Sequence, residues 1–148
     1  MVISNLNTKL VEDRLGRIVK SLARLKGLAE TGEDEFLRGD GPAVAESHLR
    51  RSLEAAFDVG RHILAKTAGG GIVEYKEIAE GLAAQGVVTK DLAGRLRLMA
   101  GYRNRLVHFY HEVSDREIHS ILRNNLADLQ DYVEEIKDFI QAHGTKRG

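Results

Sequence analysis

The chain of 148 residues contains no cysteine, no tryptophan and a single proline, and its net charge is zero. Without cysteine there can be no disulfide framework and no thiolate that binds a metal or acts as a nucleophile. A neutral chain is also a poor candidate for coating nucleic acid by bulk attraction. No apolar run is long enough to cross a membrane, and the N-terminus lacks the pattern of a signal peptide. We therefore expect a soluble, cytoplasmic protein that does not bind membranes.

Apolar residues that recur at three- and four-residue steps predict an all-α fold. Residues 30–41 are polar and contain glycine, so we expect a loop there. The last helix should continue for over five turns, because its apolar stripe is unbroken. The predicted helices run from Thr8 to about Leu28, from Pro42 to just before Gly69, from Tyr75 to about Ala84, from a cap at Thr89, and from a cap at Ser114.

Two helix starts have recognisable capping patterns. Thr89 is a suitable N-cap, and Ser114 with Glu117 forms a capping box in which each side chain satisfies a free backbone amide. Four long helices and one short helix with brief connections predict an antiparallel helical bundle. We expect one domain over residues 1–148, with a loose tail from about residue 143.

Although the net charge is zero, the acidic and basic residues are unevenly distributed along the chain. Between residues 89 and 111 five cations, Lys90, Arg95, Arg97, Arg103 and Arg105, face a single acid, Asp91. Acids then predominate from residue 112 to residue 138. A local basic strip on a neutral protein fits a small phosphate-binding site, although such runs are more often simply solvated helix faces.

The segment from Gly101 to His111 contains the most informative side chains. On a helical wheel Asn104, His108 and His111 share one face, which is distinct from the core side and adjacent to Arg103. An amide and two imidazoles beside an arginine are unusual material for simple packing. Tyr110 falls almost directly above Arg103, at the edge of the core side.

These residue types match the chemistry of cutting an RNA phosphodiester without a metal. That reaction needs a base for the 2′-hydroxyl proton, an acid for the leaving oxygen, and a fixed cation near the phosphorus. Histidine exchanges protons near neutral pH, and the planar fork of arginine matches phosphate oxygens. Asparagine can hold a phosphate oxygen or fix the tautomer of a histidine.

Spacing alone leaves the interpretation open. Arg103 and His108 lie about 140° apart on an ideal helix, so one regular helix does not aim both at a single atom. Either the helix breaks, or the phosphate straddles its edge, or a second subunit completes the site. The alternative without chemistry is that Arg103 binds a carboxylate and His108 is an ordinary surface or core histidine.

The run from Arg103 to Tyr110 resembles the signature of HepT-type proteins of the HEPN superfamily: arginine, four residues, histidine, any residue and tyrosine. Asparagine directly after the arginine is also typical of that superfamily. The resemblance extends over about 130 residues and includes a helix of the type Leu53 to Asp58. The chain differs from many relatives in having Gly69-Gly70-Gly71 where they have a proline before the short helix.

This resemblance implies a homodimer in which both copies of Arg103 and His108, with Asn104, form one composite ribonuclease site. It also implies the toxin of a type VII-like toxin–antitoxin pair, whose partner is a small nucleotidyltransferase. That antitoxin would silence the toxin by adding AMP to the motif tyrosine, here Tyr110. No cofactor is implied, and RNA is the expected substrate.

Other candidate residues have weaker support. Glu54 and Asp58 lie one turn apart and could support the site, as could His111, but helix-surface salt bridges explain the two acids at least as well. The histidines and acids near residue 111 match no metal-ligand pattern, so we expect no metal. The alternative function is a non-catalytic subunit that binds a nucleotide or the nucleotidyltransferase.

Overall fold

The computed structural model describes residues 6–69, 71, 74–108 and 112–143, and these residues form seven α-helices and no strand. The predicted all-α helical bundle is confirmed, with two more helices than expected. The helices are α1 (Thr8–Glu30), α2 (Glu33–Arg38), α3 (Gly41–Thr67), α4 (Tyr75–Ala84), α5 (Lys90–His108), α6 (Asp115–Asn124) and α7 (Leu126–His143). The expected tail lies almost wholly outside the described residues.

The prediction of a loop over residues 30–41 was wrong, because α2 forms within it. Three acids in its first turn, Glu33, Asp34 and Glu35, interact favourably with the positive end of the helix dipole. Phe36 is only 2% exposed and lies 4.8 Å from the ring of His119, measured between ring centroids. Phe36, with the partly buried Leu37, thus anchors a segment too short to show helical periodicity.

The prediction of a single long C-terminal helix was also wrong, because the helix is interrupted at Asn125. This residue leaves the helical conformation with φ −123° and ψ −1°, and its side-chain amide donates a hydrogen bond to Asp128. The apolar stripe runs on across the break because α6 and α7 both bury residues in the core, which hides the interruption in the sequence.

Both predicted caps form, one of them in altered form. The hydroxyl of Thr89 accepts a bond from the Leu92 amide, and that of Ser114 accepts one from the Glu117 amide, each at 3.1 Å. The carboxylate of Glu117 is bound by Arg105 at 2.6 and 2.8 Å instead of completing the capping box. This ion pair ties the start of α6 to α5.

Polar contacts between helices show that neighbours in the bundle are antiparallel. The amide of Asn7, at the start of α1, donates to His62 near the end of α3, whereas Ser21 contacts His48 in the first half of α3. In the same way Thr89, just before α5, contacts Glu135 of α7, whereas Arg95 further along α5 contacts Asp128 near the start of α7. None of the helices in the described ranges has the length and apolar character of a membrane span.

Gly60 allows α3 and α4 to approach closely. A methyl group at this position would lie 2.7 Å from Cγ2 of Ile78 and 3.0 Å from Cδ1 of Leu82. Tyr132, whose hydroxyl donates to the Ala56 carbonyl at 2.7 Å, packs beside the same contact from α7. Any larger residue at Gly60 must therefore displace these side chains or push α4 away from α3.

We expect Gly60→Ala to lower the free energy of unfolding by about 1–3 kcal/mol, the usual cost of overpacking. The matched control is Gly16→Ala in α1, where a methyl group would meet nothing within 4 Å. That change should raise stability by about 0.5–1 kcal/mol, because alanine loses less backbone entropy in a helix. Chemical denaturation of both variants measures the difference, and equal stability would contradict the close approach.

Candidate active site

One cavity of about 560 Å³ brings together the three residues of the sequence motif. Arg103, Asn104 and His108 all line it from the C-terminal half of α5, despite the angle between the arginine and the histidine. The other lining residues come from α3 and from the start of α4, namely Arg61, Glu74, Tyr75 and Lys76. The cavity thus collects cationic, amide and imidazole groups in one place.

Arg103 is fixed in the cavity by weak contacts on several sides. Its guanidinium carbon lies 4.7 Å from the centroid of the Tyr75 ring, a cation–π distance. Its Nε atom is buried and has no hydrogen-bond partner among the described residues. The Glu54 carboxylate lies 3.9 Å from this atom, which is too far for a hydrogen bond. A terminal nitrogen donates to the Asn104 side chain at 3.4 Å. Arg103 is therefore oriented, but no carboxylate of the described residues occupies its fork.

The ring of Tyr75 is itself held in position. It stacks on Phe57 at 4.4 Å with the planes 14° apart, and the guanidinium of Arg61 lies 5.7 Å from its centroid. Burial raises the pKa of Tyr75, while the cation of Arg103 acts in the opposite direction. The phenol therefore stays neutral at physiological pH and can donate a hydrogen bond.

The other arginines of α5 are engaged in structural ion pairs. Arg95 binds Asp128, Asp131 and Asp91 at 2.7–3.1 Å, and hydrogen bonds to these acids raise its pKa further. Arg105 binds Glu117 as described above, and Arg97 lies 3.5 Å from Glu80. The basic strip seen in the sequence thus divides into arginines that tie helices together and Arg103, which faces the cavity.

The supporting residues expected from the sequence are only partly brought to the cavity. Glu54 contacts Arg103, and Asp58 acts indirectly, through an ion pair of 3.4 Å with Arg61. Tyr110 and His111 lie outside the described residues. His108 is the last residue of α5 and is exposed to solvent.

Three residues that line the cavity, Arg61, Tyr75 and Lys76, were not predicted from the sequence. Arg61 could have been found, because it follows Glu54 and Asp58 at helical spacing on the same face of α3. Tyr75 and Lys76 depend on the direction in which the chain returns after residue 71, and no local pattern encodes that direction. Among the described residues no group of three or more histidines and acids is placed to hold a metal.

Comparison with known proteins identifies relatives over most of the chain. Residues 18–136 match the family model described as ribonuclease HepT-like. A tRNA nuclease HepT of Aphanizomenon flos-aquae is 27% identical over 93% of this chain and 95% of its own length. An mRNA nuclease HepT of Shewanella oneidensis is 25% identical over 82% of this chain and 89% of its own length.

Structures with low sequence identity share the fold. The cytosolic protein YutE of Bacillus subtilis gives a TM-score of 0.80 at 20% identity, covering 96% of this chain and 94% of its own. A tri-AMPylated HEPN toxin of Shewanella oneidensis, in complex with MNT antitoxin, gives a TM-score of 0.78 at 22% identity. The match covers 87% of this chain and 97% of the toxin chain.

The contact between Arg103 and Tyr75 can be measured by a double-mutant cycle. We expect Arg103→Gln and Tyr75→Leu to show a coupling energy of about 0.5–1 kcal/mol in chemical denaturation, the range of a cation–π pair near a surface. The control cycle pairs Tyr75→Leu with Arg97→Gln, because Arg97 lies on α5 like Arg103. This cycle should show no coupling. Additive effects in both cycles would contradict the arrangement of the cavity.

Proposed function

Because the chain belongs to the ribonuclease HepT-like family, we propose that it is a metal-independent endoribonuclease that acts in the cavity of Arg103, Asn104 and His108. The observation that carries this proposal is the placement of a fixed guanidinium and an exposed imidazole in one cavity. Within the described part of the chain no carboxylate hydrogen-bonds to Arg103, so the N–H groups of its terminal nitrogens that do not bind Asn104 remain available to phosphate oxygens.

The reaction assigns one task to each group. A base removes the 2′-hydroxyl proton, the 2′-oxygen attacks phosphorus, and the bond from phosphorus to the 5′-oxygen breaks as an acid protonates that oxygen. The products are a 2′,3′-cyclic phosphate and a 5′-hydroxyl. His108 exchanges the protons, and Arg103 stabilises the charge on the phosphorane oxygens. Asn104 orients Arg103 through their hydrogen bond and can hold a phosphate oxygen.

We further propose that the active form is a homodimer formed through the outer face of α5. Leu98 is 61% exposed and lies between Gly94 and Gly101 on α5. A methyl group added at either glycine would meet nothing within 4 Å. These residues share a side of the helix that adjoins His108. An exposed leucine flanked by glycines lets two helices approach closely, which would bring two copies of His108 into one cleft.

The relatives support a proposal for the partner and the regulation. We propose that a nucleotidyltransferase antitoxin binds this protein and silences it by attaching AMP to Tyr110, so that the pair is a type VII-like toxin–antitoxin system. The support is the AMPylated HEPN toxin, whose fold this chain shares, together with the Arg103 to Tyr110 motif. An adenylyl phosphate near Arg103 would neutralise the cation and exclude RNA.

We expect His108→Ala to lower RNA cleavage at least about a hundredfold, the usual effect of losing a general acid or base. Helical circular dichroism should not change, because the side chain is exposed. His143→Ala at the end of α7 is the matched control and should retain activity. Cleavage should persist in EDTA and leave 5′-hydroxyl ends. Full activity of the His108 variant, or loss of cleavage in EDTA, would contradict the mechanism.

The dimer is tested by placing a charge on the proposed contact. Leu98→Lys should convert a dimer into a monomer in light scattering at micromolar concentration, because two lysines would be buried without partners. The control is Val19→Lys, which alters an equally apolar, 42% exposed residue on α1. A wild-type monomer, or a Leu98 variant that remains dimeric, would exclude this interface.

A further inference from the structure

We propose that a groove between α1 and α3 binds the phosphate backbone of single-stranded RNA next to the cleavage cavity, an inference that rests on the proposed ribonuclease function. The groove has a volume of about 590 Å³. Basic residues line both of its sides, and polar residues lie between them; the principal ones are Arg14, Arg17, Lys20, His48, Arg51 and Ser52.

The α1 side of the groove is strongly basic. From residue 14 to residue 26 this helix has five cations and no acid: Arg14, Arg17, Lys20, Arg24 and Lys26. The first four recur at three- and four-residue steps, so they form one row about 15 Å long. Asp13 pairs with Arg14 and Arg17, at 2.6 and 3.4 Å. Lys20 and Arg51 line the groove and have no carboxylate partner among the described residues.

The groove and the cleavage cavity share a wall. Glu54 and Asp58 of α3 line the groove on one side. On the other side they contact the two arginines of the cavity, Arg103 at 3.9 Å and Arg61 at 3.4 Å. Arg50 also lies 3.8 Å from Glu54, so both acids have a cation within 4 Å besides Arg103, and the ridge does not strongly repel a phosphate. A strand cut in the cavity can therefore continue over the ridge into the groove.

Polar groups inside the groove fit the same ligand. The hydroxyl of Ser52 is buried, lines the groove and has no hydrogen-bond partner in the described ranges. His48 is bonded to Ser21 at 3.0 Å, and its pKa is lowered by burial and by the cations of Arg51 and Arg24. His48 is therefore an uncharged polar group at physiological pH, while Arg51 supplies the positive charge beside it. A basic groove that tracks a backbone is the usual means of binding single-stranded nucleic acid.

The test compares two triple variants of the full chain. The groove variant is Arg17→Gln, Lys20→Gln and Arg51→Gln, and the control removes three exposed cations elsewhere, Lys90→Gln, Arg123→Gln and Lys137→Gln. Both are made in the inactive His108→Ala protein, and binding of a fluorescein-labelled single-stranded RNA of about twelve nucleotides is followed by anisotropy. The groove variant should bind about tenfold more weakly, and the slope of log Kd against log salt should fall by about two. The control should retain the binding of its parent.

Cleavage by the otherwise wild-type proteins separates the two proposals. The ratio of kcat/KM for the long RNA to that for a dinucleotide should fall about tenfold in the groove variant only, because a dinucleotide reaches no farther than the cavity. Equal behaviour of the two triple variants would overturn the groove. So would normal RNA binding with loss of the nucleotidyltransferase complex, which would make the groove a protein-docking surface. Wild-type protein that binds RNA through the groove but never cuts it would instead refute the ribonuclease.

Discussion

The contact of the Arg103 guanidinium with the Tyr75 ring and the Glu54 carboxylate joins three helices at the cavity. The arginine belongs to α5, the ring to the start of α4 and the acid to α3. The ring stacks on Phe57 of α3, and the close packing of α4 on α3 at Gly60 is consistent with that contact. The cation proposed to bind phosphate is thus oriented mainly by packing, and its terminal nitrogens retain N–H groups that no carboxylate of the described residues binds.

Zero net charge is compatible with nucleic-acid chemistry because the charges are separated within the fold. The acids of α6 and α7 are largely used to bind α5, as the pairs of Arg95 and Arg105 show. The cations of α1 are arranged in a row along one groove instead. A local positive field attracts phosphate over a distance of about 10 Å at moderate salt, so the balance of the whole chain matters less than this arrangement.

The helices that could be predicted from the sequence are those long enough to show the three- and four-residue spacing of apolar side chains. α2 was missed because six residues with one buried phenylalanine have no period, and the break at Asn125 was missed because the apolar stripe continues through it. The motif residues were found because their chemistry is unusual for a helix face. Tyr75 was not, since its place depends on how α4 packs on α3, a tertiary contact that its neighbours in sequence do not encode.

The number of histidines that line the cavity also favours the proposed homodimer. Phosphodiester cleavage moves two protons, one from the nucleophile and one to the leaving oxygen, whereas His108 is the only imidazole among the described residues that line the cavity. The same residue can act at both steps only if it changes role within one turnover. Two copies related by a two-fold axis remove that requirement, since one imidazole can act as base and the other as acid. The proposed dimer would thus bring a second His108 to a cavity in which one subunit already places Arg103, Asn104 and one His108.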